Sequence, residues 1–79
     1  MKEFFLETFR GHRYEFTRVA TSVLDVWYHI KVTEQSDLEY RMHFDKKGNW
    51  KITTKRTPAA ISALEKDFDE VISRNEKFN

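Results

Sequence analysis

Within Val23–Thr33 every second residue from Leu24 on is apolar: Leu24, Val26, Tyr28, Ile30 and Val32 alternate with Asp25, Trp27, His29, Lys31 and Thr33. A period of two, rich in β-branched and aromatic side chains, marks a strand with one buried face. The pattern recurs at the same parity in Leu38, Tyr40, Met42 and Phe44, and again in Trp50, Ile52 and Thr54. Between these two runs, Asp45-Lys46-Lys47-Gly48-Asn49 reads as a three-residue hairpin loop, with Gly48 as the left-handed residue of a type I turn plus bulge. Asp45 then opposes Asn49, Phe44 opposes Trp50, and His43 opposes Lys51. A symmetric turn at Glu34-Gln35-Ser36 sets Val32 against Leu38 and His29 against Arg41. All even residues share one face, and a one-residue slip would turn that face into water, so the register is strongly specified.

Two strands are expected upstream, over Lys2–Phe9 and Arg13–Ala20. Tyr14, Phe16 and Ala20 keep the even parity. Arg18 breaks it, which predicts an edge position or a bulge near Thr17–Val19. Gly11-His12 fits a type II′ turn with glycine first. That turn pairs Phe9 with Tyr14, Leu6 with Thr17 and Phe4 with Val19, and it directs Phe5 and Phe9 inward.

The pattern then changes to helical spacing: Ile61, Leu64, Phe68, Val71 and Ile72 form one stripe, with Glu65, Lys66, Asp69, Glu70 and Arg74 facing away. Thr57 is a suitable N-cap and Pro58 a suitable first helical residue. The expected architecture is two-layer α+β: a five-stranded antiparallel β-meander over residues 1–56, one C-terminal helix over 57–76 across its even face, and a tail at 77–79. Met42, Phe44, Trp50, Ile52, Ile61, Leu64 and Phe68 are the expected core. A chain of 79 residues buries one core and no more.

With no cysteine, disulfides and thiolate metal sites are excluded, which leaves oligomerisation as the common supplement to a small core. No segment approaches the ~18 apolar residues of a membrane span. Glu7 interrupts the N-terminus before a signal-peptide core can form, and a cytoplasmic protein is expected. Two glycines cannot build a G-x-G-x-x-G or Walker loop, and H-E-x-x-H, C-x-x-C and G-x-S-x-G are absent. No enzyme, cofactor or metal site is expected.

Two candidate surfaces remain. A single helix covers only one side of a sheet, so the other side is left with Phe4, Leu6, Val19 and Trp27, an apolar patch of the kind that marks interfaces. The leading expectation is therefore a non-enzymatic protein-interaction module, homodimeric in its simplest form. The competing expectation is that the tail ending Glu76-Lys77-Phe78-Asn79 folds over the patch. The second surface is basic and aromatic: Trp27, His29, Lys31, Arg41, His43 and Lys51. Such a face can stack bases and meet phosphates, so single-stranded nucleic acid is the alternative partner. A meander followed by a helix is similar in layout to one class of small single-stranded DNA-binding domains, which is an analogy of fold alone. Charge points the same way, with net +3 over residues 1–56 and net −2 over 57–79. Arg41 to Arg56 holds six basic residues against Asp45 alone, although a solvated hairpin also uses lysine in this way. The His29, His43 and Glu15 grouping, and the acid-free helix start at Thr57-Pro58-Ala59-Ala60, are weaker candidates for a metal and an anion respectively.

Overall fold

The computed structural model describes residues 1–77. Five strands, β1 (Phe4–Phe9), β2 (His12–Ser22), β3 (Asp25–Val32), β4 (Gln35–Phe44) and β5 (Trp50–Ile52), precede α1 (Ala59–Ser62) and α2 (Glu65–Lys77). The strands pair antiparallel in chain order, and the helical segment packs on one face. This is the expected α+β meander. The even residues Tyr14, Phe16, Tyr28, Ile30, Val32, Tyr40, Met42 and Trp50 are buried against Ile61, Leu64, Phe68, Val71 and Ile72. Phe68 has no exposed surface and meets the rings of Phe9, Tyr14 and Phe16 edge-on, with centroids 5.3–5.6 Å away. Each such side chain contributes roughly 1.5–3 kcal/mol by leaving water.

The loop at residues 45–49 matches its expectation. Gly48 has φ +94°, Asp45 N–H donates to Asn49 O at 2.8 Å, and Phe44 opposes Trp50. Asp45 Oδ1 also accepts from the amides of Asn49 and Lys47, and these bonds to the charged form hold its carboxyl below its ordinary value.

Several expectations need correction. The β1–β2 turn is Arg10-Gly11, both at positive φ (+52° and +81°), and Phe9 pairs with His12. Positive φ at both central residues makes this a type I′ turn, not the expected II′; like II′, it matches the right-handed twist of the flanking strands. Moving the turn by one residue shifts the register by two, so parity survives: Phe5 and Phe9 stay inward, but Phe4 opposes Thr17 and Leu6 opposes Glu15. His12 belongs to a strand and not to the turn.

Arg18 causes no bulge at Thr17–Val19. It stays in register opposite Tyr28 and points inward, because Glu76 of α2 supplies a counter-charge; the irregularity comes later, between Ala20 and Ser22. The hairpin closes there through Ser22 and Asp25, so Leu24 lies at the tip with Val23, 97% and 94% exposed, and does not join the inward set. Leu38 does not oppose Val32 either. Val32 pairs with Gln35 across a tighter turn, and the surplus residues before Glu39 are absorbed as a register shift that leaves Leu38 exposed. Phe44 was expected in the core but is 55% exposed, leaning edge-on against Trp50.

The helix is broken. Thr57 does not cap it: its hydroxyl donates to Thr54 O at 2.8 Å, and Pro58 holds the N-cap position. Ala63 and Leu64 separate α1 from α2, and Leu64 N–H donates to Ile61 O, one residue closer than an α-helix requires. Both are good helix formers, so packing imposes the break, with Ile61 and Leu64 both buried. Lys77, expected in the tail, is helical, whereas Phe78 and Asn79 lie outside the described residues.

Candidate interaction face

Alternation along each strand puts one residue set into the helix-side core and the other onto a face that no described element covers. From edge to edge this outer face carries Phe4 and Leu6 on β1, Glu15, Thr17 and Val19 on β2, and Trp27, His29 and Lys31 on β3. Glu39, Arg41 and His43 follow on β4 and Lys51 on β5. Phe4 and Leu6 are about half exposed (53% and 48%). Val19 stands directly opposite Trp27. Phe4 lies diagonal to Val19, through its pairing with Thr17. The four patch residues therefore share one face, in a staggered row that differs from the expected one: Phe4 faces Thr17, not Val19, and Leu6 faces Glu15, not Thr17, while Thr17 and Glu15 in turn face His29 and Lys31. Glu76 and Lys77 belong to α2 on the opposite side, so the described part of the tail does not cover the patch.

The basic and aromatic residues also converge. Trp27 stacks on His43 (centroids 5.7 Å, 16° between planes), and the Arg41 guanidinium lies 5.7 Å from the Trp27 ring centre. His43 Nδ1 is 2.7 Å from Thr53 Oγ1. His29, Arg41 and His43 line a shallow concavity of about 370 Å³ with Glu39, Thr54 and Lys55. Acidic side chains stand beside part of this surface. His29 Nε2 is 3.3 Å from Glu39 Oε2, Lys51 Nζ is 3.6 Å from Glu65 Oε1, and Lys31 stands between Glu15 and Glu39. Among the described residues, no three His, Asp or Glu side chains are placed to hold a metal ion, and Glu15 is a strand away from the His29–His43 pair. α1 spans a single turn, with no side-chain cap at its start. No helix among the described residues is long and apolar enough to cross a membrane.

The two sheet edges differ, and the alternation in sequence does not reveal it. At β5, the amide of Trp50 donates to Asp69 Oδ1 (2.9 Å) and that of Ile52 to Glu65 Oε2 (2.8 Å), so two α2 carboxylates close this edge. Both acids were expected to face away from the sheet. Their spacing of four residues on one flank of the helix is the only signal in the sequence, and it resembles ordinary helix surface. At β1, Arg18 N–H donates to Glu3 O (2.8 Å), so the odd residues of β1 bond to β2. The amides and carbonyls of Phe4, Leu6 and Thr8 therefore point away from the sheet. Asn75 of α2 takes up both backbone groups of Lys2, at 2.9 Å each, and that is where the helix stops sealing this edge.

Two grooves flank the sheet. One, of about 430 Å³, lies between the Val23-Leu24 tip, Phe44 and the end of α2. The other, of about 580 Å³, runs between β1 and α2 and is lined by Phe5, Glu7, Val71 and Arg74. Set beside known proteins, the chain matches no protein-family model, and no curated protein or solved structure is significantly similar to it.

Proposed function

We propose that this domain is a non-enzymatic interaction module that self-associates through its uncovered sheet face. The observation that carries this reading is Phe4 and Leu6, half exposed on the outer face of an open edge strand and continued inward by Val19 and Trp27. Contiguous apolar surface of this kind is expensive in water and is typical of association sites. The basic surface supports nucleic acid less well, because Lys31 and Lys51 already face Glu15, Glu39 and Glu65 and the Trp27 ring is occupied by His43 and Arg41.

Sedimentation equilibrium of the full chain tests the reading. A concentration-dependent dimer that persists at high salt, and that is lost in Phe4→Ser/Leu6→Ser, is expected. A strict monomer would overturn it. A monomer whose Trp27 fluorescence responds to single-stranded DNA, with affinity falling steeply as salt rises, would replace it with the nucleic-acid reading.

A further inference from the structure

We infer that the partner on this face is a second copy of the chain, joined antiparallel through β1 about a two-fold axis at Leu6. The inference rests on the self-association reading and specifies its geometry. An open strand edge is a row of hydrogen-bonding groups without partners, and proteins normally blunt it with charge, proline, a bulge or a covering element. Here one edge is blunted and the other is not. Glu65 and Asp69 close β5, and Asn75 closes Lys2, but Phe4-Phe5-Leu6-Glu7-Thr8-Phe9 pairs without a bulge and is free of proline and lysine.

The free groups specify the register. Phe4, Leu6 and Thr8 face outward along the edge, and this set is symmetric about Leu6. Only the Leu6-centred pairing engages all three: Leu6 bonds to Leu6 of the second copy, and Phe4 bonds to its Thr8 in both directions. Directly opposed residues lie on the same face of an antiparallel pair. The pairing therefore joins Phe4 and Leu6 of both copies into one outer patch, and the two meanders become a continuous ten-stranded sheet.

The helix-side face agrees. In this register Glu7 of the second copy falls opposite Phe5, which borders the groove beneath Arg74. Among the described residues, neither Glu7 nor Arg74 takes part in an ion pair within 4.0 Å. The two-fold axis supplies each with the other, twice. The only like-charge opposition, Lys2 with Arg10, falls beyond the strand at both ends, where both side chains are exposed. Trp27 lies two strands in from the axis and takes no part in the edge contact.

Sedimentation equilibrium over roughly 1 µM to 1 mM protein, a range that spans moderate to weak association, separates the possibilities. Thr8→Pro removes an amide that serves only the free edge, so dimerisation should weaken at least about tenfold while thermal unfolding stays cooperative. Glu7→Arg should weaken it similarly, and Glu7→Arg/Arg74→Glu should restore it, a rescue that loss of folding would not give. Trp27→Ser should leave the dimer intact. A dimer lost in Trp27→Ser but kept in Thr8→Pro and Glu7→Arg overturns the edge geometry and leaves face-to-face self-association standing. A wild-type monomer throughout overturns both.

Discussion

Arg18 Nε donates to Glu76 Oε2 at 2.7 Å, joining the middle of β2 to the last turn of α2 across 58 residues of sequence. The Tyr28 hydroxyl donates to the same carboxylate, and Asn75 Nδ2 donates to the Tyr28 oxygen at 2.8 Å. Both ionic side chains are mostly shielded, at 13% and 22% exposure. Arg18→Ala leaves Glu76 with only the Tyr28 hydroxyl, and Glu76→Gln leaves Arg18 with only the Glu3 carboxylate at 3.9 Å, so either change should cost about 1–3 kcal/mol in urea unfolding. The pair Arg18→Met/Glu76→Leu should recover part of that, because two apolar groups leave no unpaired charge. A single-variant loss below about 0.5 kcal/mol would show that water substitutes for the pair.

Phe68 is the centre of the aromatic cluster. Phe68→Ala removes a ring fully enclosed by Phe9, Tyr14 and Phe16 and should cost about 3–5 kcal/mol. A change under about 1 kcal/mol in the same denaturation assay would contradict the packing of α2 on the sheet.

Tyr14, Tyr28 and Tyr40, the only tyrosines, all have their hydroxyl pKa raised, in each case chiefly by burial; for Tyr28 the Glu76 carboxylate adds to the effect. A raised folded value means that the folded state favours the neutral phenol. The associated stability is complete below the ordinary tyrosine value of about 10 and is lost as pH climbs above it. Phenolate absorbance near neutral-to-mildly-alkaline pH should therefore be absent and should then rise together with loss of the near-ultraviolet circular dichroism. A gradual titration around pH 10 in a protein that stays folded would contradict the burial of these rings.

Glu65→Ala and Asp69→Ala each free an amide on β5. Each should cost about 0.5–1.5 kcal/mol in thermal or urea unfolding. The double variant should also aggregate on heating faster than wild type, as light scattering would report, because its second sheet edge is open. Unchanged stability and solubility would mean that water satisfies these amides as well as the helix does.

Tyr28, Ile30, Met42 and Trp50 announced the meander by parity, because strand geometry has a fixed period of two and any other register would expose the whole apolar set. The stripe Ile61, Leu64, Phe68, Val71 and Ile72 announced the helix for the same reason at its own period. Parity does not determine turns. Leu24 and Leu38 carry the right residue type at the right parity, yet they fall where the chain reverses or absorbs surplus length, and they are exposed. Of the candidate face, the sequence placed Phe4, Leu6, Val19 and Trp27 on one side, but their lateral order depended on whether Gly11 came first or second in its turn.

What the sequence by itself determined, then, was the layering: which side chains of each strand and helix leave water, since that follows from local periods. Only the tertiary structure decided that Arg18 is an anchor and not a flaw, that Glu65 and Asp69 seal one edge, and that Asn75 stops at Lys2 and leaves Phe4, Leu6 and Thr8 open. Each is a contact between residues at least 13 positions apart in the chain or, at the open edge, the end of such contacts. Hydrogen bonding and ion pairing of that kind depend on where a partner arrives in space, and alternation along one strand carries no record of it.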